Sequence, residues 1–105
     1  MTRHYYGVLY PYGIGMANYP DVKGKQPNRV FRFDDPLDLA TWVAEEDPDG
    51  GERVKMQASS APIVRVLKRP HLYPWTEDRL LVDGQHVRVL VATFWDLAKP
   101  GVAKR

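Results

Sequence analysis

The chain has 105 residues, of which 44% are hydrophobic, and this suffices for one core but not for a second domain. It has no cysteine, which excludes disulfides, thiolate metal sites and a thiol nucleophile. Its formal net charge is only +2, and it has neither an apolar leader stretch nor a run of membrane-spanning length. We therefore expect a single soluble domain over residues 1–105, in the cytoplasm and without membrane contact.

The N-terminal third predicts two strands separated by a long loop. Residues 5–10 are rich in aromatic and β-branched side chains, which are typical of a strand. Proline, glycine and asparagine recur throughout residues 11–28, so we expect no regular element there. Loops of this length are uncommon in compact domains and are often functional. Residues 29–33 alternate between apolar and polar side chains, which predicts a second, half-buried strand.

A helix is predicted over residues 36–46. Asp34 and Asp35 offer carboxylates that can cap its N-terminus, and a proline suits its first turn. Leu39 and Trp42 lie on one helical stripe, which predicts a buried side. An acidic segment with proline and two glycines follows and ends the helix.

Two short elements are predicted next. Residues 53–57 indicate a short strand with Val54 and Met56 on one face. Residues 62–69 follow a serine pair that can cap a helix, and their apolar side chains recur at helical spacing. This spacing favours a helix. The β-branched valines also fit a strand, so the strand alternative stays open.

A β-hairpin is predicted over residues 79–95. Asp83–Gly84 separates two apolar runs, and this dipeptide supplies the positive φ angles of a tight turn. A two-residue turn places Val82 opposite Gln85. One face of the hairpin then consists of Leu80, Val82, Val87, Val89 and Val91.

These elements predict an α+β fold. We expect a single antiparallel or mixed sheet of four to five strands, with one or two helices packed on one face. Residues from about 99 onward are polar and interrupted by proline and glycine, which indicates a loose C-terminal tail.

No motif for catalysis, metal binding or cofactor binding is found. Ser59 and Ser60 lack a G-x-S-x-G context, and the spacing of His4, His71 and His86 fits no metal motif. The single G-x-G lacks the third glycine of a nucleotide-binding turn. We therefore predict a protein that is not an enzyme and needs no cofactor. A small enzyme that uses His71 or His86 beside an acid is a third, less favoured hypothesis.

Recognition chemistry is concentrated near the N-terminus. Five of the six tyrosines lie in the first nineteen residues, and residues 22–33 contain four bases and no acid. Aromatic rings at strand ends and in loops often contact a partner, and the bases would orient an acidic one. The predicted partner-binding residues are Tyr10, Tyr12, Tyr19, Lys23, Lys25, Arg29, Tyr73 and Trp75.

The sequence thus predicts a small non-enzymatic interaction module, such as an accessory or inhibitory protein. It would bind a protein partner through the aromatic and basic loop, and a homodimer would use the same residues. The alternative is a nucleic-acid-binding protein that uses this loop, because stacking rings beside bases suit single strands. No recognition-helix or RNA-binding sheet motif accompanies the loop.

Overall fold

The computed structural model of this protein describes residues 3–13, 26–50, 53–56 and 60–94. Most of the predicted loop over residues 11–28 and the predicted tail lie outside these ranges. The elements are β1 (Tyr5–Leu9), β2 (Asn28–Phe33), α1 (Pro36–Glu46), β3 (Val54–Lys55), α2 (Ala61–Lys68), β4 (Thr76–Val82) and β5 (Gln85–Phe94).

The strands form one sheet in the order β3-β1-β2-β5-β4. Every neighbouring pair is antiparallel, and the two-residue β3 lies at one edge beside four longer strands. Both helices pack against this sheet, so the predicted α+β class is confirmed. Neither helix in the described ranges is long and apolar enough to cross a membrane.

Helix α1 has both of its predicted bounds. The Asp35 carboxylate caps its N-terminus by accepting the backbone N–H of Leu37 at 2.9 Å. At the other end, the N–H of Asp47 donates to the carbonyl of Val43 at 2.8 Å. The local signals in the sequence were therefore sufficient to predict this helix.

Helix α2 resolves the alternative that residues 62–69 left open. The segment is a helix, and its buried residues Ile63 and Val66 are three positions apart, on one side of it. Ser60 occupies the N-cap position, but its side chain makes no capping hydrogen bond. Helix formation here therefore depends on burying this apolar side rather than on the predicted serine cap.

The two helices lie on opposite faces of the sheet, whereas the sequence-based expectation was that they share one. We call the face under α1 the front face and the face under α2 the back face. On the front face, Leu39 and Trp42 pack with Leu9, Phe31, Phe33, Val54, Val82, Val89 and Val91. On the back face, Ile63 and Val66 pack with Val8, Tyr10, Val30, Ala92 and Phe94. Strands β1 and β2 have apolar side chains on both faces, so each face needs a cover.

The β4–β5 hairpin has the predicted register. Val82 pairs with Gln85, and Asp83 and Gly84 have φ angles of 50° and 77°, as a primed two-residue turn requires. Strand β4 begins at Thr76, three residues before the predicted start. Its first residues are polar on both faces because they lie at the exposed sheet edge, so their side chains show no alternation.

The tip of this hairpin reaches α1. In the described ranges, the pairing of β5 with β2 ends at Arg32 and Leu90. From there toward its tip, the hairpin extends past the end of β2. At the tip, the backbone N–H of Asp83 donates to the Glu45 carboxylate at 2.9 Å. The hairpin tip is thus tied to the C-terminal half of α1.

Strand β3 is shorter than predicted. Val54 is buried against the front-face core, as expected, but Met56 is 51% exposed and does not share that environment. Among the described residues 53–56, Val54 and Lys55 pair with β1, and the predicted alternation does not continue to Met56. Gln57 lies outside the described residues.

Candidate functional site

A pocket of about 320 Å³ opens on the front face, where the ends of β1 and β2 meet the last turns of α1. Part of its lining is apolar and comes from the core residues Leu9, Phe31 and Trp42, with Leu80 from the hairpin. Its remaining lining consists of Pro11, Tyr12, Gln26, Arg29, Glu46 and Arg53. The pocket lining therefore combines two cationic groups with the edges of core side chains.

The sheet register directs Arg29 to this side. Arg29 pairs with Leu9 across β1 and β2, and paired residues in antiparallel strands project to the same face. One guanidinium nitrogen, Nη2, donates to Gln26 Oε1 at 3.0 Å, and the guanidinium carbon lies 5.9 Å from the centre of the Phe31 ring. The Arg29 guanidinium is therefore held over the apolar lining.

Arg53 is positioned by the buried side chain of Asp47. Asp47 Oδ2 accepts the backbone N–H groups of Arg53 at 3.1 Å and of Val54 at 3.2 Å. The Arg53 side chain then returns to the end of α1, where Nη1 donates to the Glu46 carbonyl at 3.2 Å. Its Nη2 lies 3.7 Å from Glu46 Oε1, which forms a half-exposed ion pair.

The Nε groups of both arginines are buried, and neither has a hydrogen-bond partner among the described residues. A buried donor without an acceptor costs about 1–3 kcal/mol. The pocket also has one formal positive charge, because its lining contains two arginines and one glutamate.

Tyr12 forms an exposed part of the pocket mouth. It is 45% exposed, and its hydroxyl oxygen accepts the backbone N–H of Gln26 at 3.1 Å. This bond fixes the phenol oxygen and leaves a large part of the residue accessible. A ring held in one orientation loses little conformational entropy when a partner packs on it.

Of the predicted partner-binding residues, the structure brings Tyr12 and Arg29 together. Tyr10 instead lies in the back-face core, only 9% exposed, with its ring edge-on to Phe94 at 6.4 Å. Tyr73 and Trp75 also pack against the back-face core, and Trp75 lies 6.2 Å from the Tyr6 ring. The remaining predicted residues, Tyr19, Lys23 and Lys25, lie outside the described ranges.

The residues that complete the pocket were not predicted from the sequence. Arg53 reaches the pocket because β3 pairs with β1, and Trp42 because α1 crosses the front face. Neither relationship leaves a local signal, since both depend on contacts between distant segments. Within the described part of the chain, no three histidine, aspartate or glutamate side chains form a group that could hold a metal ion.

Comparisons with known proteins add no relative. No protein-family model matches the chain, and neither the curated proteins nor the solved structures contain a match. The fold and the pocket therefore define the class, an antiparallel α+β domain with a cationic and apolar pocket on one face.

Proposed function

We propose that this chain is a non-enzymatic interaction module that binds an acidic segment of a protein partner. Binding takes place at the pocket mouth formed by Tyr12, Gln26, Arg29 and Arg53, which we call the Tyr12–Arg29 surface. The observation that carries this proposal is that an exposed tyrosine and an arginine lie together at the mouth of a pocket with a formal positive charge.

The residue types of this surface favour a protein partner. Tyrosine and arginine are enriched among the residues that contribute most to protein–protein binding. A planar guanidinium donates in a fixed geometry that matches a carboxylate. The formal positive charge of the pocket favours an acidic segment over a basic one.

Selection of peptides from a random displayed library tests this proposal, because the selection works without a known partner. Peptides selected on the wild-type protein should contain an acidic residue near an apolar one. They should lose binding to the Arg29→Glu and Tyr12→Ala variants. The matched control is Arg79→Glu, because Arg79 is exposed on β4 and does not line the pocket.

Selected peptides that bind wild type, Arg29→Glu and Tyr12→Ala equally would contradict the proposal. Thermal unfolding of each variant shows that a loss of binding does not come from a loss of fold.

Self-association through the same surface also stays a prediction. Light scattering checks it, because a homodimer of this kind should dissociate in the Arg29→Glu variant.

Nucleic-acid binding is the second candidate, since an exposed tyrosine beside two arginines also suits single strands. The ion pair between Arg53 and Glu46 argues against it. The pairing leaves a single formal positive charge in the pocket, whereas nucleic-acid binding usually neutralises several successive phosphates.

A further inference from the structure

We infer that a second copy of this chain pairs with the outer edge of β4, in antiparallel orientation and across a two-fold axis at Asp78. This pairing continues the sheet of one protomer into the sheet of the other. It uses neither the pocket on the front face nor the Tyr12–Arg29 surface, so it goes beyond the proposed function and does not depend on it.

The outer edge of β4 has backbone groups available for another strand. Strand β4 lies at the end of the sheet, and no described strand pairs with this edge. Residues that flank a two-residue turn exchange both backbone hydrogen bonds, and such pairs alternate along a hairpin. Because Val82 flanks the turn, the outward N–H and C=O groups are those of Glu77, Arg79 and Leu81. The N–H of Arg79 accordingly donates to Asp78 Oδ1 at 2.8 Å rather than to β5.

The side chains of the same three residues lie on the back face, where Arg79 lacks a counter-charge. Arg79 pairs across the hairpin with Arg88, so two like charges are opposite each other. Arg88 has acidic partners, because its Nε donates to Glu77 Oε2 at 2.7 Å and its Nη1 lies 3.8 Å from Asp34 Oδ2. Arg79 has no carboxylate within 4.0 Å among the described residues. An acid placed on its outer side would offset this excess of positive charge.

A second copy of β4 supplies that acid when the two-fold axis lies at Asp78. Glu77 of each copy is then opposite Arg79 of the other, whereas an axis at Arg79 or at Glu77 would place like charges opposite each other. Continued one residue beyond β4, this pairing places Leu81 opposite Trp75 of the second copy. Leu81 is 61% exposed, and Trp75 is half-buried against the back-face core. The edge is therefore complementary to itself, as a two-fold interface requires.

Asp78 limits the strength of this pairing. At the two-fold axis its carboxylate is opposite the Asp78 carboxylate of the second copy, and like charges in this position are destabilising. Its Oδ1 must also release the N–H of Arg79, which pairs with the Glu77 carbonyl of the second copy. One edge strand from each copy forms only a small interface. We therefore expect a weak dimer, with a Kd on the order of 100 µM.

Sedimentation equilibrium of the full chain tests this inference with two charge variants. Arg79→Glu places two acids opposite each other and Glu77→Arg two bases, so each should weaken dimerisation at least about tenfold. An equimolar mixture of the two variants should regain the dimer, because every acid of one copy then faces a base of the other. Arg29→Glu is the matched control, since it changes a charge in the pocket and should dimerise as wild type does. Circular dichroism checks that each variant is folded.

The chain has no cysteine, so a single introduced thiol reports the register. Asp78→Cys should form an intermolecular disulfide under mild oxidation, because the two Cα atoms at the axis lie about 4.5 Å apart in such a pair. Leu81→Cys is the control, since its two copies lie about 20 Å apart in this register. Asp78→Thr should tighten dimerisation about tenfold, because it removes both effects that oppose pairing. Equal disulfide formation by the two cysteine variants would overturn the register.

A wild-type chain that stays monomeric up to about 1 mM would overturn the inference. So would a dimer that persists in Arg79→Glu, or a mixture of the two charge variants that stays monomeric. A dimer that is lost in Arg29→Glu but not in Arg79→Glu would overturn it as well and would assign self-association to the Tyr12–Arg29 surface. None of these outcomes changes the peptide selection that tests the proposed function.

Discussion

The buried carboxylate of Asp47 accepts the backbone N–H of Val54 at 3.2 Å, and this bond joins the end of α1 to the first residue of β3. The same oxygen accepts from Arg53 at 3.1 Å. One side chain therefore connects the helix, the edge strand and an arginine of the pocket. The end of α1 and the geometry of the pocket are linked through it.

We expect Asp47→Ala to lower the free energy of unfolding by about 2 kcal/mol, because it leaves two backbone N–H groups without their charged acceptor. Urea denaturation measures this loss. The matched control is Asp49→Ala, two residues away and exposed, which should change stability by less than about 0.5 kcal/mol. Equal effects of the two substitutions would contradict the role given to Asp47.

Gly84→Ala should lower the free energy of unfolding by about 1 kcal/mol. Gly84 has a φ of +77°, which an L-residue adopts at a cost of roughly 1–2 kcal/mol. No atom lies within 4 Å of the Cβ that alanine would add, so the cost comes from the backbone alone. Asp83→Asn is the control, because asparagine is also common at this turn position. Denaturant unfolding that shows no loss for Gly84→Ala would contradict the primed turn.

Because the two cores lie on opposite faces of the sheet, substitutions in one core should change the free energy of unfolding independently of substitutions in the other. Ile63→Val affects the back-face core and Val89→Ala the front-face core, so their effects on stability should add within about 0.5 kcal/mol. Phe31→Leu and Trp42→Phe should instead couple, because their rings are 4.9 Å apart, with an interaction of about 0.5–1.5 kcal/mol. Double-mutant cycles measure both. Strong coupling across the faces would contradict the two-core description.

Nucleic-acid binding predicts a dependence on salt that protein binding does not require. A labelled single-stranded oligonucleotide should show no binding above the nonspecific level at physiological salt, because the pocket has a single formal positive charge with which to neutralise successive phosphates. Fluorescence anisotropy at low and physiological salt measures this. Tight binding that weakens steeply with salt and is lost in the Arg29→Glu variant would favour the nucleic-acid alternative instead.

The elements predicted most accurately from the sequence are those determined by local chemistry. Asp35 and the following proline specify where α1 begins, and Asp83–Gly84 sets the turn and hence the pairing of Val82 with Gln85. In both cases the residues that determine the local geometry lie within a few positions of it in the sequence. The packing of the rest of the protein is consistent with these local signals.

Local signals could not predict which face of the sheet each helix covers or which residues line the pocket. Val8 and Val30 project to one face while Leu9 and Phe31 project to the other, so β1 and β2 offer two apolar faces and no local reason to choose between them. Arg53 joins the pocket through strand pairing with a segment more than forty residues away. Such long-range contacts leave no periodicity in the sequence.

The most direct test of the account is the affinity of one selected acidic peptide for the wild-type protein and for the Arg29→Gln variant, measured by isothermal titration calorimetry. Arg29→Gln removes the charge and the buried Nε donor while keeping a side chain of similar polarity. We predict a loss of at least about tenfold in affinity, with an unfolding temperature that does not fall. Equal affinity for the two proteins would contradict the assignment of the Tyr12–Arg29 surface as the binding site.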